Sequence, residues 1–152
     1  MSALKDQLRA DLTASMKARD QLRSSTLRMV LTAISTAEVA GTEARELTDD
    51  DVLTILGSEV KKRREASEAF TQGNRPELAD KEAAEAEILA TYLPAQLSAD
   101  EIAAVVAAAI EQTGAAADGM KAMGKVMGVV TAQTKGKADG GAVAAEVRKQ
   151  LG

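Results

Sequence analysis

No stretch of this chain alternates apolar and polar residues with the period of a strand; its apolar residues recur every three or four positions instead. Strand side chains change face at every residue, whereas a helix returns to the same face after three or four. The spacing is carried by Ala, Glu, Lys, Arg, Leu and Gln, all strong helix formers. It confines the chain to helices packed on helices, so the expected fold class is all-α. Hydrophobic residues make up 45% of the 152, but many are Ala, which buries little. The core must rest on Leu, Ile, Val and Met, with helices approaching closely over Ala and Gly.

The pattern predicts seven helices. The first runs from about Ala3 to Ala18, with Leu4, Leu8, Leu12 and Met16 on one face. The second runs from about Asp20 to Ala40, with Thr26, Met29, Val30, Ala33, Ile34 and Ala37 inward and Gly41 as a stop. Thr48 with Asp49, Asp50 and Asp51 places a hydroxyl cap and three carboxylates at the start of a long third helix to Gln72. Its seam reads Leu53, Leu56, Val60, Arg63, Ser67, Phe70, so a cation and a hydroxyl interrupt an apolar row. Gly57 in mid-helix suggests a close helix contact. Gly73-Asn74-Arg75-Pro76 is a turn, and a fourth helix follows to about Tyr92, with Leu78, Ile88, Leu89 and Tyr92 inward. Pro94 stops it. Ser98 and Glu101 form a capping box for a fifth helix, which buries Ile102, Val105, Val106, Ala109 and Ile110. Gly114 ends it. A sixth helix starts at Asp118, with Met120, Met123, Met127 and Val130 as its inner face, and ends at Gly136. Asp139 caps a seventh, which buries Val143, Val147 and Leu151.

The boundary falls between Leu93 and Leu97. Residues 1–93 are expected to form a four-helix bundle-like domain and residues 97–152 a three-helix bundle, a size near the lower limit for independent folding.

The chain has no Cys and no His, which excludes disulfides, thiolate metal sites, cysteine nucleophiles and every histidine acid, base or ligand. There is no Gly-rich phosphate loop, and Gly140-Gly141 reads as a helix start. Ser67 beside the cation run looks like a seam residue rather than a nucleophile. No autonomous catalysis, cofactor or metal is expected. With no apolar leader and no long apolar run, the expected setting is cytoplasmic, away from membranes.

Net charge is −4, so there is no bulk attraction to nucleic acid. Lys61-Lys62-Arg63-Arg64 is the densest cation run, but consecutive helical residues point around the whole circumference, and Glu59, Glu65 and Glu68 stand within pairing distance. It reads as a salt-paired face, with pairs such as Lys61–Glu65 and Arg64–Glu68, or as a partner surface. Arg63 lies on the seam and has Glu82 or Glu85 of the fourth helix as candidate partners. Residues 97–152 carry six acids and six bases, yet no acid occurs between Gly119 and Ala138. Lys121, Lys125, Lys135 and Lys137 fall in that window. Such a strip either contacts phosphates or simply solvates the surface. Gly124 and Gly128, one turn apart, either admit a neighbouring helix or clear backbone for a phosphate. No aromatic lies nearby, so any nucleic-acid readout there would use backbone and shape rather than stacking.

The text VKKRREASEAFTQGNRPELADKEAAEAEILATYLPAQLSADEI, residues 60–102, resembles the central signature of the GatB/YqeY family. Leu27-Arg28-Met29-Val30 with Ala33-Ile34 and Glu38, Met123-Gly124-Lys125-Val126-Met127, and Lys135-Gly136-Lys137-Ala138-Asp139-Gly140 are similar to it in the same order. The resemblance implies a helical bundle followed by a three-helix tail like that of the B subunit of the glutamyl-tRNA/aspartyl-tRNA amidotransferase. It further implies tRNA or another structured RNA as a ligand, for which the strip of Lys121, Lys125, Lys135 and Lys137 offers the candidate phosphate contacts. A glutamine-dependent carbon–nitrogen ligase reaction is implied only alongside catalytic amidotransferase subunits, since the cradle that holds metal and ATP in that enzyme has no counterpart here. A protein-interaction adaptor using the third and fourth helices is the remaining alternative.

Overall fold

A computed structural model describes residues 2–152. Among the described residues there are seven α-helices and no strand: α1 (Ala3–Lys17), α2 (Gln21–Glu38), α3 (Asp49–Gln72), α4 (Pro76–Ala90), α5 (Ala99–Thr113), α6 (Met123–Thr134) and α7 (Gly140–Leu151). The fold is all-α. The chain divides after Leu93 into two compact units.

In the first unit, Leu8 of α1, Leu27, Val30 and Ile34 of α2, Val52, Leu56 and Val60 of α3, and Ala86 and Leu89 of α4 form one core. Thr48 accepts from the Asp51 N–H while Asp51 accepts from the Thr48 N–H, which closes a capping box at the start of α3. Leu47, just before that cap, is buried with Val52, so a loop residue staples the helix entry. Asp49 reaches from α3 to the start of α1, where the Ser2 hydroxyl and the Leu4 N–H donate to it. The Ser2 hydroxyl, and then the Leu4 amide, hold its carboxyl below the usual carboxylate range. The stability added by such a lowered carboxyl is complete above its ordinary titration and is lost as pH falls through the lowered value.

α3 and α4 pack antiparallel. Arg63 and Glu85 are 7% and 4% exposed, and Arg63 Nε donates to Glu85 Oε2 at 3.2 Å. Glu59 takes Arg63 Nη1 at 2.7 Å. The Ser67 hydroxyl donates to the Ala79 carbonyl at 2.8 Å. Both polar interruptions of the seam therefore have partners. Gly57 does not mark a close approach, because a Cβ there would meet nothing within 4 Å. Gly57→Ala is accordingly expected to raise stability by about 1 kcal/mol, read as a higher urea midpoint at unchanged slope.

α2 ends at Glu38, short of Ala40, as the Val39 and Ala40 amides turn to the Thr36 and Ala37 carbonyls and the Arg45 amide takes the Glu38 carbonyl. α4 stops at Ala90. Tyr92 then folds back, its hydroxyl donating to Asp11 of α1 and accepting from Arg23 Nη2 of α2 at 3.1 Å. Burial, and then the Asp11 carboxylate, push the Tyr92 phenol from 10.0 up to about 12. A raised folded value means that its contribution is complete below pH 10.0 and disappears as pH rises through about 12. Tyr92 is the one tyrosine and there is no Trp, so alkaline absorbance reads this group alone. The tyrosinate band is expected to appear near pH 12 in the folded protein and near pH 10 in urea.

In the second unit, Ile102, Val106 and Ala109 of α5, Val126 and Val130 of α6, and Val143, Val147 and Leu151 of α7 make the core. Ser98 and Glu101 complete a capping box, and Leu97 packs beside Ile102 in the role that Leu47 plays for α3. Gly114 ends α5 with a φ of 66°, a left-handed geometry that costs glycine nothing. Two short 3-10 turns follow, Ala115–Ala117 and Gly119–Ala122, with Ala115 and Ala122 filling the core. The expected helix start at Asp118 and inner face on Met120 are therefore corrected. α6 begins at Met123, and Met120 is 49% exposed. The tighter 3-10 turns rotate the chain by about one residue relative to an α-helix. That brings Ala122, Val126 and Val130 inward and leaves Met123 and Met127 at the flank.

Candidate nucleic-acid interface

The same rotation decides what α6 shows to solvent. Gly124, Lys125, Gly128, Thr131 and Ala132 are all exposed and step along α6 by three and four, with Lys121 exposed in the 3-10 turn before the helix and Lys135 exposed just past its end. They make one stripe opposite the buried row of Val126, Val130 and Thr134. Lys125 and Lys135 lie about 15 Å apart along the axis at 1.5 Å per residue. Lys137 is exposed in the loop beyond. Gly136 reaches that loop with a φ of 75°, and the Lys137 carbonyl accepts from the Leu97 N–H at 2.8 Å. Gln96 Nε2 adds a bond to the Gly136 carbonyl at 2.9 Å. The loop that carries Lys137 is thus pinned by its own unit. Asp139 caps α7 by accepting from the Ala142 N–H.

Gly124 and Gly128 are open. A Cβ at either position would meet nothing within 4 Å. The reading that they admit a neighbouring helix of the fold is corrected, and bare backbone between lysines is what they present. An acid-free stripe with two glycines lets a polyanion approach the helix closely without like-charge repulsion.

The cation run of α3 is distributed as helical geometry requires. Arg63 is buried against Glu85 and Glu59, Lys62 lies 3.7 Å from Glu59, and Arg64 reaches Glu87 across the hairpin at 4.0 Å rather than Glu68. It presents no continuous positive patch. Among the described residues no group of Asp and Glu is placed to hold a metal ion, and no helix is long and apolar enough to cross a membrane.

A second feature was not anticipated. An open groove between α1 and α2 is walled in part by Arg28 and floored by Leu12 and Leu31. The signal was present, since no acid occurs from Gln21 to Ala37. It is dispersed around a helix, however, and becomes a surface only when α1 lies beside it.

Comparison with known proteins places these features in a family context. The family model described as Yqey-like protein matches residues 5–151. An uncharacterized protein of Schizosaccharomyces pombe is 37% identical over 92 residues, which is 60% of this chain and 72% of that protein. Altered inheritance of mitochondria protein 41, mitochondrial, of Clavispora lusitaniae is 32% identical over 91 residues. Its counterpart in Lachancea thermotolerans is 30% identical over 86 residues. These matches take in 60% and 57% of this chain, and they span about half of each mitochondrial protein, 52% and 46%.

Proposed function

The chain belongs to the YqeY-like family, and from that premise we propose that it is a non-catalytic module that binds tRNA or another structured RNA through its C-terminal three-helix unit. The observation that carries this reading is the acid-free stripe of α6, with Lys121, Lys125 and Lys135 along it, Lys137 beyond it, and bare backbone at Gly124 and Gly128. The lysines contact phosphates, and the glycines let the ribose–phosphate backbone come close. Phosphate contacts position a nucleic acid without reading its sequence. With no aromatic in this unit to stack on a base, recognition runs through shape. The first unit scaffolds the second or docks a partner. A chain without Cys or His, and without a phosphate loop, supports a binding role better than a catalytic one.

The test is filter binding of tRNA to the full chain at two salt concentrations. Retention at low salt that weakens steeply at high salt is the expected result. Absence of retention at low salt, or retention indifferent to replacing the four lysines by Ala, sinks the reading.

A further inference from the structure

α1 and α2 run antiparallel, with Lys5 on Glu38 at one end and Arg28 on the Met16 sulfur at the other. Between these ends the groove has a volume of about 600 Å³, and apolar Leu12, Leu31 and Val39 in its lining are interleaved with Thr32, Ser35 and Thr36. Leu12 and Leu31 are only partly covered by the core, and Val39 is 65% exposed. Met16, 43% exposed, extends the apolar surface past Leu12. From Arg28 to Val39 the helix rises about 16 Å, close to three turns. Beyond Val39 the hollow continues beside Glu38, Ala44, Arg45 and Glu46.

The rim is positive toward its Arg28 end, while Glu38 and Glu46 line the hollow beyond Val39. Arg28 lines the groove, and Arg9 shares an α1 face with Lys5, Leu12 and Met16, which are three or four residues from one another in series. Among the described residues no carboxylate pairs with Arg9 or Arg28. Glu38 is held by Lys5 at 2.6 Å and Asp51 by Arg45 at 3.3 Å. Both guanidiniums thus lie near the apolar lining with their charge open to a partner.

We infer that this groove docks an acidic amphipathic helix of a partner protein. Its apolar anchors, spaced i, i+3 or i+4, and i+7, seat on Leu12, Leu31 and Val39, and its flanking carboxylates meet Arg9 and Arg28. A flexible methionine at the mouth adapts to the anchor it receives. The apolar floor disfavours a nucleic-acid backbone.

The test selects displayed helical peptides, with a fixed apolar face and flanks randomised among Glu, Lys, Gln and Ser, against the full chain. Enrichment of Glu in the flanks is expected, with binding at least tenfold tighter than the same peptides carrying Lys. Arg9→Glu with Arg28→Glu should reverse that preference, and Val39→Glu should weaken acidic peptides about tenfold, the scale of one well-placed contact. These side chains are exposed, and an unchanged melting temperature separates lost docking from lost folding. Neutral or basic selected flanks, or binding indifferent to the arginine substitutions, overturns the inference. So does loss of self-association or of tRNA retention in Arg9→Glu/Arg28→Glu with the four lysines intact, which would give the groove to a second copy or to nucleic acid.

Discussion

Glu85→Ala is expected to lower the stability of the first unit by about 3 kcal/mol, the lower end of the range for stripping one partner from a buried ion pair. Arg63 and Glu85 face each other at 3.2 Å between α3 and α4, both nearly inaccessible to water. Removing the carboxylate leaves a guanidinium that still holds Glu59 at 2.7 Å, which is why the loss stops short of the upper end. The pair as such need not be stabilising, because taking two charges out of water costs nearly what their attraction returns. Replacing both, Arg63→Met with Glu85→Leu, should therefore recover most of the loss. Urea denaturation followed by Tyr92 fluorescence reads this unit alone, since Tyr92 is the one tyrosine. A double variant no better than Glu85→Ala would show that the site cannot repack and that the ion pair itself holds the hairpin together.

Replacing Lys121, Lys125, Lys135 and Lys137 together by Ala should flatten the salt dependence of RNA binding. Each phosphate contact contributes about 0.7 to 0.9 to the slope of log affinity against log salt, so four contacts account for a change of about 3. Lys61→Ala with Lys62→Ala is the control. Those cations point in different directions around α3, and the slope should barely move. Gly124→Ala and Gly128→Ala test the backbone approach separately. Each should raise the helix stability of α6 by about 1 kcal/mol, and each should lower RNA affinity, because the added methyl stands where the polyanion comes closest. Equal slopes for the lysine variant and the control would remove α6 from any RNA interface.

Much of the architecture was legible in the residues. The capping boxes at Thr48 and Ser98, the Pro76 start of α4 and the left-handed glycine at Gly114 act over three or four residues and need no tertiary partner. The seam position of Arg63, with Glu85 among its candidate partners, was readable because two helices joined by a short turn must pack antiparallel. Less legible was everything that depends on helix rotation. Met120 follows the apolar spacing yet faces solvent, because two 3-10 turns shift the register ahead of α6. Leu47 belongs to the core although it lies outside any helix.

The sequence by itself determined that this protein is helical, where those helices with clear caps and turn residues begin, and which family it resembles, since periodicity, caps and turn residues are local in range. The tertiary structure alone decided which faces are covered. Gly57, Gly124 and Gly128 look alike along the chain, and only the placement of neighbouring helices shows that all three open on empty space. Arg9 and Arg28 sit nineteen residues apart in separate helices and become one rim only when α1 lies against α2. Burial and electrostatic pairing are properties of the space between helices, and no single helix carries that information.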